Sequence, residues 1–349
     1  MRLLIVGNRG GTNVGERFET AAADLGLEAR LLPSSRAMVA PAWLRHVNWH
    51  LRGRRPTRLA TFGREVVEAC RAWRPAAVLA TGLAPLDAGA LARIGALGVR
   101  RLNYLTDDPW NPVHRAGWFL QALPGYDVVF SPRRANLADL TAAGVAEVRY
   151  LPFAYDPALH FPDPGPPPAG AGPVDVLFVG GGDADRAPLM AALAEAGLRV
   201  ALYGQYWERF AGTRALTRGQ APPAVIRRAT SLARVAIGLP RRANRDGHTM
   251  RSLEIPASGG CLLAEDTGEH RELFGPDGQA AAYFGSGSDL VSRASRLVAD
   301  EAERERLALA GHRLVTGGRH TYRDRLAAIV AAAGARISAA AGVTEQACR

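Results

Sequence analysis

Residues 174–204 read VDVLFVGGGDADRAPLMAALAEAGLRVALYG, and this stretch decides the fold class. A short apolar run ends in three glycines, an amphipathic stretch follows, and a second apolar run closes at another Gly. That is strand, turn, helix, strand. Two strands joined through a helix lie parallel, and a parallel sheet needs helices on both faces.

Working outward, the same alternation continues. Downstream, RVAIGLP reads as a strand, TMRSLEIPASG as a helix, CLLAED as a strand, GEHRELFG as a short helix and QAAAYFG as a strand. SDLVSRASRLVADEAERERLALAG and YRDRLAAIVAAAGARISAAA then read as one helix each. Upstream, RLLIVG, EARLL, AAVLATG, RRLNYLTDDP, YDVVFSP and VRYLPFA read as strands, with helices between them. Residues 156–173, DPALHFPDPGPPPAGAGP, carry too much Pro and Gly for helix or interior strand and read as a linker. The expected organisation is α/β: a Rossmann-like domain over 1–155, the linker, a second Rossmann-like domain over 174–320, and a C-terminal helix in 321–349 packing back on the first domain. Two such domains facing each other create a cleft where ligands bind. The region from Arg36 to Pro56 breaks the alternation and reads as an insertion or a loop-rich lid.

Composition narrows the classes. A chain of 349 residues with 48% hydrophobic and 22% charged residues is globular. The net charge of +10 points toward nucleic acid only superficially. The sequence has no Lys, Arg is spread along it, and no block of five or six consecutive basic residues occurs. Abundant Ala, Gly and Arg reflect GC-rich coding, as in a bacterium, and no nucleic-acid partner is expected. A diffuse positive field still gathers phosphorylated ligands. Three isolated cysteines give neither a disulfide framework nor a zinc site, which fits a cytoplasmic protein. No apolar run reaches the roughly 18 residues that a membrane span requires.

The glycine-rich turns fit no standard nucleotide fingerprint. Gly7, Gly10, Gly11 and Gly15 miss the dinucleotide spacing, Asp185 stands where the last Gly of the second turn belongs, and a Walker loop needs Lys. Both turns nevertheless join a strand to a helix, so their amides can face an anion. Gly10, Gly11 and Thr12 mark the first turn; Gly181, Gly182 and Arg186 mark the second. Asp183 and Asp185 have the letters of a metal-binding D-x-D motif without its context, and His46 and His50 have metal-ligand spacing without a third ligand.

Residues 246–260, DGHTMRSLEIPASGG, set charge beside Leu253 and Ile255 just before an apolar strand. Such a charge at a core edge needs a partner, either protein or ligand. Asp246 and Glu254 form a D-x7-E pair, and Arg251 and Glu254 share one helix face. A helix beginning at Gly247 would aim the amides of Gly247, His248 and Thr249 at a diphosphate, while Glu254 would accept from a ribose diol or pair with Arg251.

The segment TMRSLEIPASGGCLLAEDTGEHRELFGPDG resembles the donor-site segment of GT-B glycosyltransferases, and is most similar to the CgeB-like spore-maturation group related to glycosyltransferase family 4. VLFVGGGDADRAPLMAAL, LYGQYW, NYLTDDPWNP and YDVVFSPRRANLADLTAAGVAEVRYLPFAYDP resemble the same group. The resemblance implies a GT-B fold and a sugar transferred from a nucleoside diphosphate donor to an unknown acceptor hydroxyl, with no metal and no other cofactor. It implies that Glu254 is the second acid of the family's E-x7-E motif, Asp246 replaces the first, Glu272 is the acid after the next strand, and Arg186 lies near the phosphate-binding cation. Tyr203 belongs to the same donor set. A base for the acceptor hydroxyl is expected among Asp107, Asp108 and His114, which follow a strand end. The rival readings are a GT-B relative that epimerises or hydrolyses a nucleotide sugar, and a catalytically silent glycan-binding protein.

Overall fold

The computed structural model describes residues 1–11, 13–166 and 173–334. Thr12, the end of the proline-rich segment and the last residues of the C-terminal helix expected over 321–349 lie outside the described residues. The chain forms two units: Met1–Pro132, Asn136–Leu151 and the residues from Tyr322 in one, Arg133–Ala135 and Pro152–Thr321 in the other.

The first unit holds strands β1 (Arg2–Gly7), β2 (Glu28–Pro33), β3 (Ala77–Thr81), β4 (Arg100–Tyr104), β5 (Val128–Ser131) and β6 (Val148–Tyr150). All pair parallel in the order β2-β1-β3-β4-β5-β6. Its helices are α1 (Val14–Asp24), α2 (Ala42–His50), α3 (Leu59–Trp73), α4 (Ala88–Ala96), α5 (Gly117–Ala122) and α6 (Ala135–Ala142). In β3 the residues Ala77 to Ala80 are all apolar and buried, as a strand covered by helices on both faces requires.

The second unit repeats the plan with β7 (Val176–Val179), β8 (Val200–Tyr203), β9 (Thr217–Gly219), β10 (Val235–Gly238), β11 (Leu262–Glu265) and β12 (Ala282–Phe284). The order is β12-β11-β10-β7-β8-β9, again all parallel. Helices α7 (Arg186–Glu195), α8 (Pro223–Leu232), α9 (Met250–Ala257), α10 (Gly268–Phe274), α11 (Gly287–Ala299) and α12 (Glu301–Gly317) cover it. A last helix, α13 (Tyr322–Ala332), lies in the first unit, where Tyr322 meets Phe18 of α1 edge to face at 5.6 Å.

Three local readings of the sequence are corrected. The region from Arg36 to Pro56 is not simply loop: it contains α2. The stretch read as one long helix before the last is two, because the Asp300 side chain accepts from the Glu303 amide and starts α12 afresh. The extended β9 was not foreseen, since TRG is too short and polar for a strand signal. The described part of the proline-rich segment is tied down rather than free: Asp163 receives Arg227 and Arg228 of α8, at 3.0 Å each.

The second sheet's opening turn is built on close approach. Trp207 donates its indole N–H to the Gly180 carbonyl at 2.8 Å, and a Cβ on Gly182 would come within 2.9 Å of the Trp207 ring. Gly204 has φ +142°, and a Cβ there would sit 2.1 Å from the Gly180 carbonyl oxygen. Gly204→Ala is therefore expected to cost about 3 kcal/mol or more in urea denaturation. Gly197→Ala, at φ +85° with open space around it, is expected to cost only about 1 kcal/mol. Equal losses would show that the turn can relax.

Candidate functional site

In a parallel sheet every loop after a strand leaves the same edge, and ligands bind where the strand order reverses. In the second sheet β7 leads outward through β8 to β9, and the chain then crosses back to β10 on the other side of β7. The reversal lies between β7 and β10. The loops that leave this point are 180–185 and 239–249, which contain Gly181, Gly182, Asp246, Gly247, His248 and Thr249, with Arg186 opening α7.

Arg186 braces the two loops. Its side chain is buried, with Nη2 donating to the Leu239 carbonyl at 2.9 Å and Nη1 to the Gly181 carbonyl at 3.3 Å. Burial pulls its pKa down, Asp183 opposes that shift, and the buried Nε has no partner among the described residues. A guanidinium with two groups on backbone carbonyls is a structural tie more than a mobile cation. Asp183 and Asp185 serve helix entry: Asp183 Oδ1 accepts from the amides of Asp185 and Arg186 at 3.1 and 2.9 Å. The Gly182 amide is spent on the Gln205 carbonyl at 2.9 Å. Tyr203 lies in the hydrophobic core with Tyr155, Leu253 and Phe274.

The loop after β10 is organised by buried charge. Asp246 pairs with Arg133, whose side chain is also buried, and accepts from the Arg241 amide at 3.3 Å. Burial raises the Asp246 pKa, with Arg133 pulling the other way. His248 is fully buried. Its Nε2 accepts from the Phe153 amide at 3.1 Å, so Nδ1 carries the proton and donates to Glu269 at 2.6 Å. Both ring nitrogens are thus used, and His248 is a turn residue rather than a phosphate donor. Glu269 also accepts from the Arg134 amide at 3.0 Å. Gly247 is required by this contact, since a Cβ there would lie 2.5 Å from the Glu269 carboxyl carbon.

The helix read as starting at Gly247 starts at Met250. Thr249 is its N-cap and forms a reciprocal capping box with Ser252. The Ser252 hydroxyl also meets His270 Nε2 at 2.8 Å, and His270 Nδ1 lies 2.7 Å from the Glu265 carbonyl. Gly259, at φ +77°, follows the helix's last turn. Within α9, Glu254 is buried and paired with Arg251, with His160 Nε2 at 3.6 Å from its other oxygen. Arg251 remains partly exposed. Glu272, by contrast, sits on the surface, 2.6 Å from Arg134.

Sequence reasoning missed Arg133, Glu269 and Arg241. Arg241 lies in the loop after β10, close enough to Arg186 for the two cations to repel, and is partly exposed. The adjacent pairs Arg133–Arg134 and Arg241–Arg242, each just after a strand, were the available signal.

In the first sheet the reversal lies between β1 and β3. Gly10 and Gly11 have φ of +78° and +57° in the β1 turn, and the Gly10 amide donates to Glu16 at 2.9 Å. After β4, Asp108 is buried, accepting from Asn136 Nδ2 and from the Trp110 amide at 3.0 Å each. Asp107 and His114 are half-buried. Asp108 thus holds the turn, and Asp107 and His114 are the more accessible pair.

The family described as Glycosyl transferase-like matches residues 186–331, which span the brace, the loop after β10 and α9 to α12. Sucrose-phosphate synthase from Thermosynechococcus elongatus superimposes with a TM-score of 0.67 at 12% identity, over 95% of this chain and 98% of that one. The Anabaena HepE protein in complex with UDP-glucose gives 0.63 at 14% identity, over 96% and 99%. The fold is GT-B. The lipopolysaccharide outer core galactosyltransferase WaaB shares it, with a TM-score of 0.60 at 14% identity over 95% and 99%. A search of curated proteins gives no match. The GT-B fold expected from the sequence is the fold found.

His270 gives the second unit a pH signature. Burial holds its pKa down at about 4 against 6.5 for a free imidazole. As pH falls from about 6.5 to 4 the unfolded chain takes up a proton that the folded chain refuses, so stability falls across that window and levels off below it. The ceiling on this loss is about 3 kcal/mol. Urea denaturation at pH 7 and 4.5 is expected to show a shallower drop for His270→Gln than for the wild type. Identical drops would remove His270 from the pH dependence.

Proposed function

We propose that the protein is a glycosyltransferase that moves a sugar from a nucleoside diphosphate donor to an acceptor hydroxyl without a metal, within the CgeB-like group related to family 4. The observation that carries this reading is the glycosyl transferase-like match over 186–331, which covers the loop after β10 and the charged helix α9 at the sheet's reversal point. The WaaB and HepE likenesses support the reading, since one is a galactosyltransferase and the other was solved with UDP-glucose.

In transfer, the bond from the sugar's anomeric carbon to the diphosphate breaks with its electron pair going to the diphosphate, and the acceptor oxygen bonds to that carbon. The growing negative charge needs cations. Arg241 and Arg251 are the partly exposed ones near the reversal point, while Arg186 fixes the backbone that carries them. Glu254 is paired with Arg251. A diphosphate that draws Arg251 away would release Glu254 to accept from the ribose diol. The acceptor's proton passes to a base drawn from Asp107 and His114, Asp108 being committed to Asn136.

A thermal-shift panel of nucleoside diphosphates and their sugars tests this reading. A ligand at about 100 times its Kd is expected to stabilise the fold by about 2.7 kcal/mol, and thus to raise Tm by several degrees. Glu254→Gln and Arg241→Ala are each expected to weaken the best donor about tenfold or more by calorimetry, with unliganded Tm within a degree or so. Unchanged affinity in both would remove the assigned donor site. Product analysis with and without acceptor separates transfer from epimerisation or hydrolysis: a product that forms equally in the acceptor's absence favours the latter.

A further inference from the structure

The helix α2 exposes more apolar surface than a lone globular domain needs. Its inward side holds half-buried Leu44 and Val47 beside a buried Asn48, whose Nδ2 donates to Thr57 at 2.8 Å, while Trp43 and Trp49 turn outward at 67% and 47% exposure. Leu51, just past the helix, is 80% exposed, and Met38 and Val39 just before it are exposed too. Five of the eleven exposed large apolar side chains among the described residues therefore fall between positions 38 and 51. Scattered apolar residues need no explanation, but a cluster does.

The charge of this segment is equally one-sided. From Glu28 to Glu65 the sequence has no acidic residue and eight arginines: Arg30, Arg36, Arg45, Arg52, Arg54, Arg55, Arg58 and Arg64. Arg45, Arg52, Arg55 and Arg58 are exposed and form no ion pair among the described residues. The segment is nonetheless held in place. Arg54 donates to the Arg115 carbonyl at 2.6 Å and its own carbonyl accepts from the Trp118 indole at 3.2 Å.

We infer that this face docks on an anionic lipid bilayer. Tryptophans settle at a bilayer's interface, aliphatic side chains gain by entering its hydrocarbon, and arginines gain at its negative headgroups. Exposed Leu51, Met38 and Val39 have no use in stacking on bases, which separates this face from a nucleic-acid groove. An exposed segment with no acid of its own between Glu28 and Glu65, where among the described residues only Arg36 is ion-paired, to Glu65, matches a uniformly negative plane better than a protein surface of mixed charge. The inference rests on the first unit alone and is independent of sugar transfer.

Sedimentation of the full chain with vesicles tests it, using phosphatidylcholine alone and phosphatidylcholine with about a third phosphatidylglycerol. The wild type is expected to bind the anionic vesicles with a blue shift in tryptophan emission, to bind more weakly as salt rises, and to leave the neutral vesicles in solution. The double variant Trp43→Ala/Leu51→Ala and the triple variant Arg45→Glu/Arg52→Glu/Arg55→Glu are each expected to lose at least about tenfold in binding while keeping the wild-type Tm. Arg209→Glu/Arg218→Glu/Arg313→Glu, which removes the same charge from exposed positions of the second unit, is expected to bind as the wild type does. Failure of the wild type to bind anionic vesicles, equal loss in the distant triple variant, or preference for a duplex oligonucleotide through the same arginines would each overturn it.

Discussion

The guanidinium of Arg186 is the tie on which the opening of the second unit's sheet depends. Two loops leave the sheet in opposite directions where its strand order reverses, and nothing in the hydrogen bonding of the sheet itself joins them. Arg186 reaches a carbonyl in each, Gly181 on one side and Leu239 on the other. Leu239 is buried and Gly181 half-buried, and the charge of the guanidinium strengthens both bonds. The cost is a desolvated cation, offset in part by Asp183. Once those loops are fixed, the position of Arg241 and the approach to α9 are fixed with them.

A second layer of constraint comes from buried charge that must be partnered. Asp246 is matched by Arg133, and Glu269 by His248 and the Arg134 amide. Arg133 and Arg134 lie more than 100 residues from the carboxylates they meet, His248 lies 21 residues from Glu269, and removing these partners would leave a carboxylate charged and dry. Glycine at 247 is part of this arrangement, because only a residue without a Cβ lets the Glu269 carboxyl come so close. The loop after β10 is therefore held by buried pairs, while Arg251, which pairs with Glu254 on α9, is partly exposed.

The first unit uses the same sheet logic with a different surface. Its reversal point lies between β1 and β3, and the Asp107 to His114 segment leaves the same edge. The segment that follows β2 interrupts the regular alternation with α2 and turns tryptophan, leucine and arginine to solvent. A fold selected only for compactness would bury those side chains.

Much was legible in the sequence because it is local. Alternating apolar runs and amphipathic stretches gave the two parallel sheets, and glycines after the strands located the turns. The D-x7-E stretch lies in the loop after β10 and the helix that follows it, at the sheet's reversal point. What the chain alone could not settle was which charged group meets which. Glu269 and Glu272 are three residues apart on one short helix, yet one is buried against His248 and the other exposed beside Arg134. Asp107 and Asp108 are neighbours, yet only the second is locked to Asn136. Periodicity and turn chemistry are set by a residue's neighbours along the backbone, so sequence determined strands, helices and their order. Partnerships of buried charge are set by distances between segments over 100 residues apart, such as Arg133 and Asp246, and those distances exist only once the tertiary fold has closed.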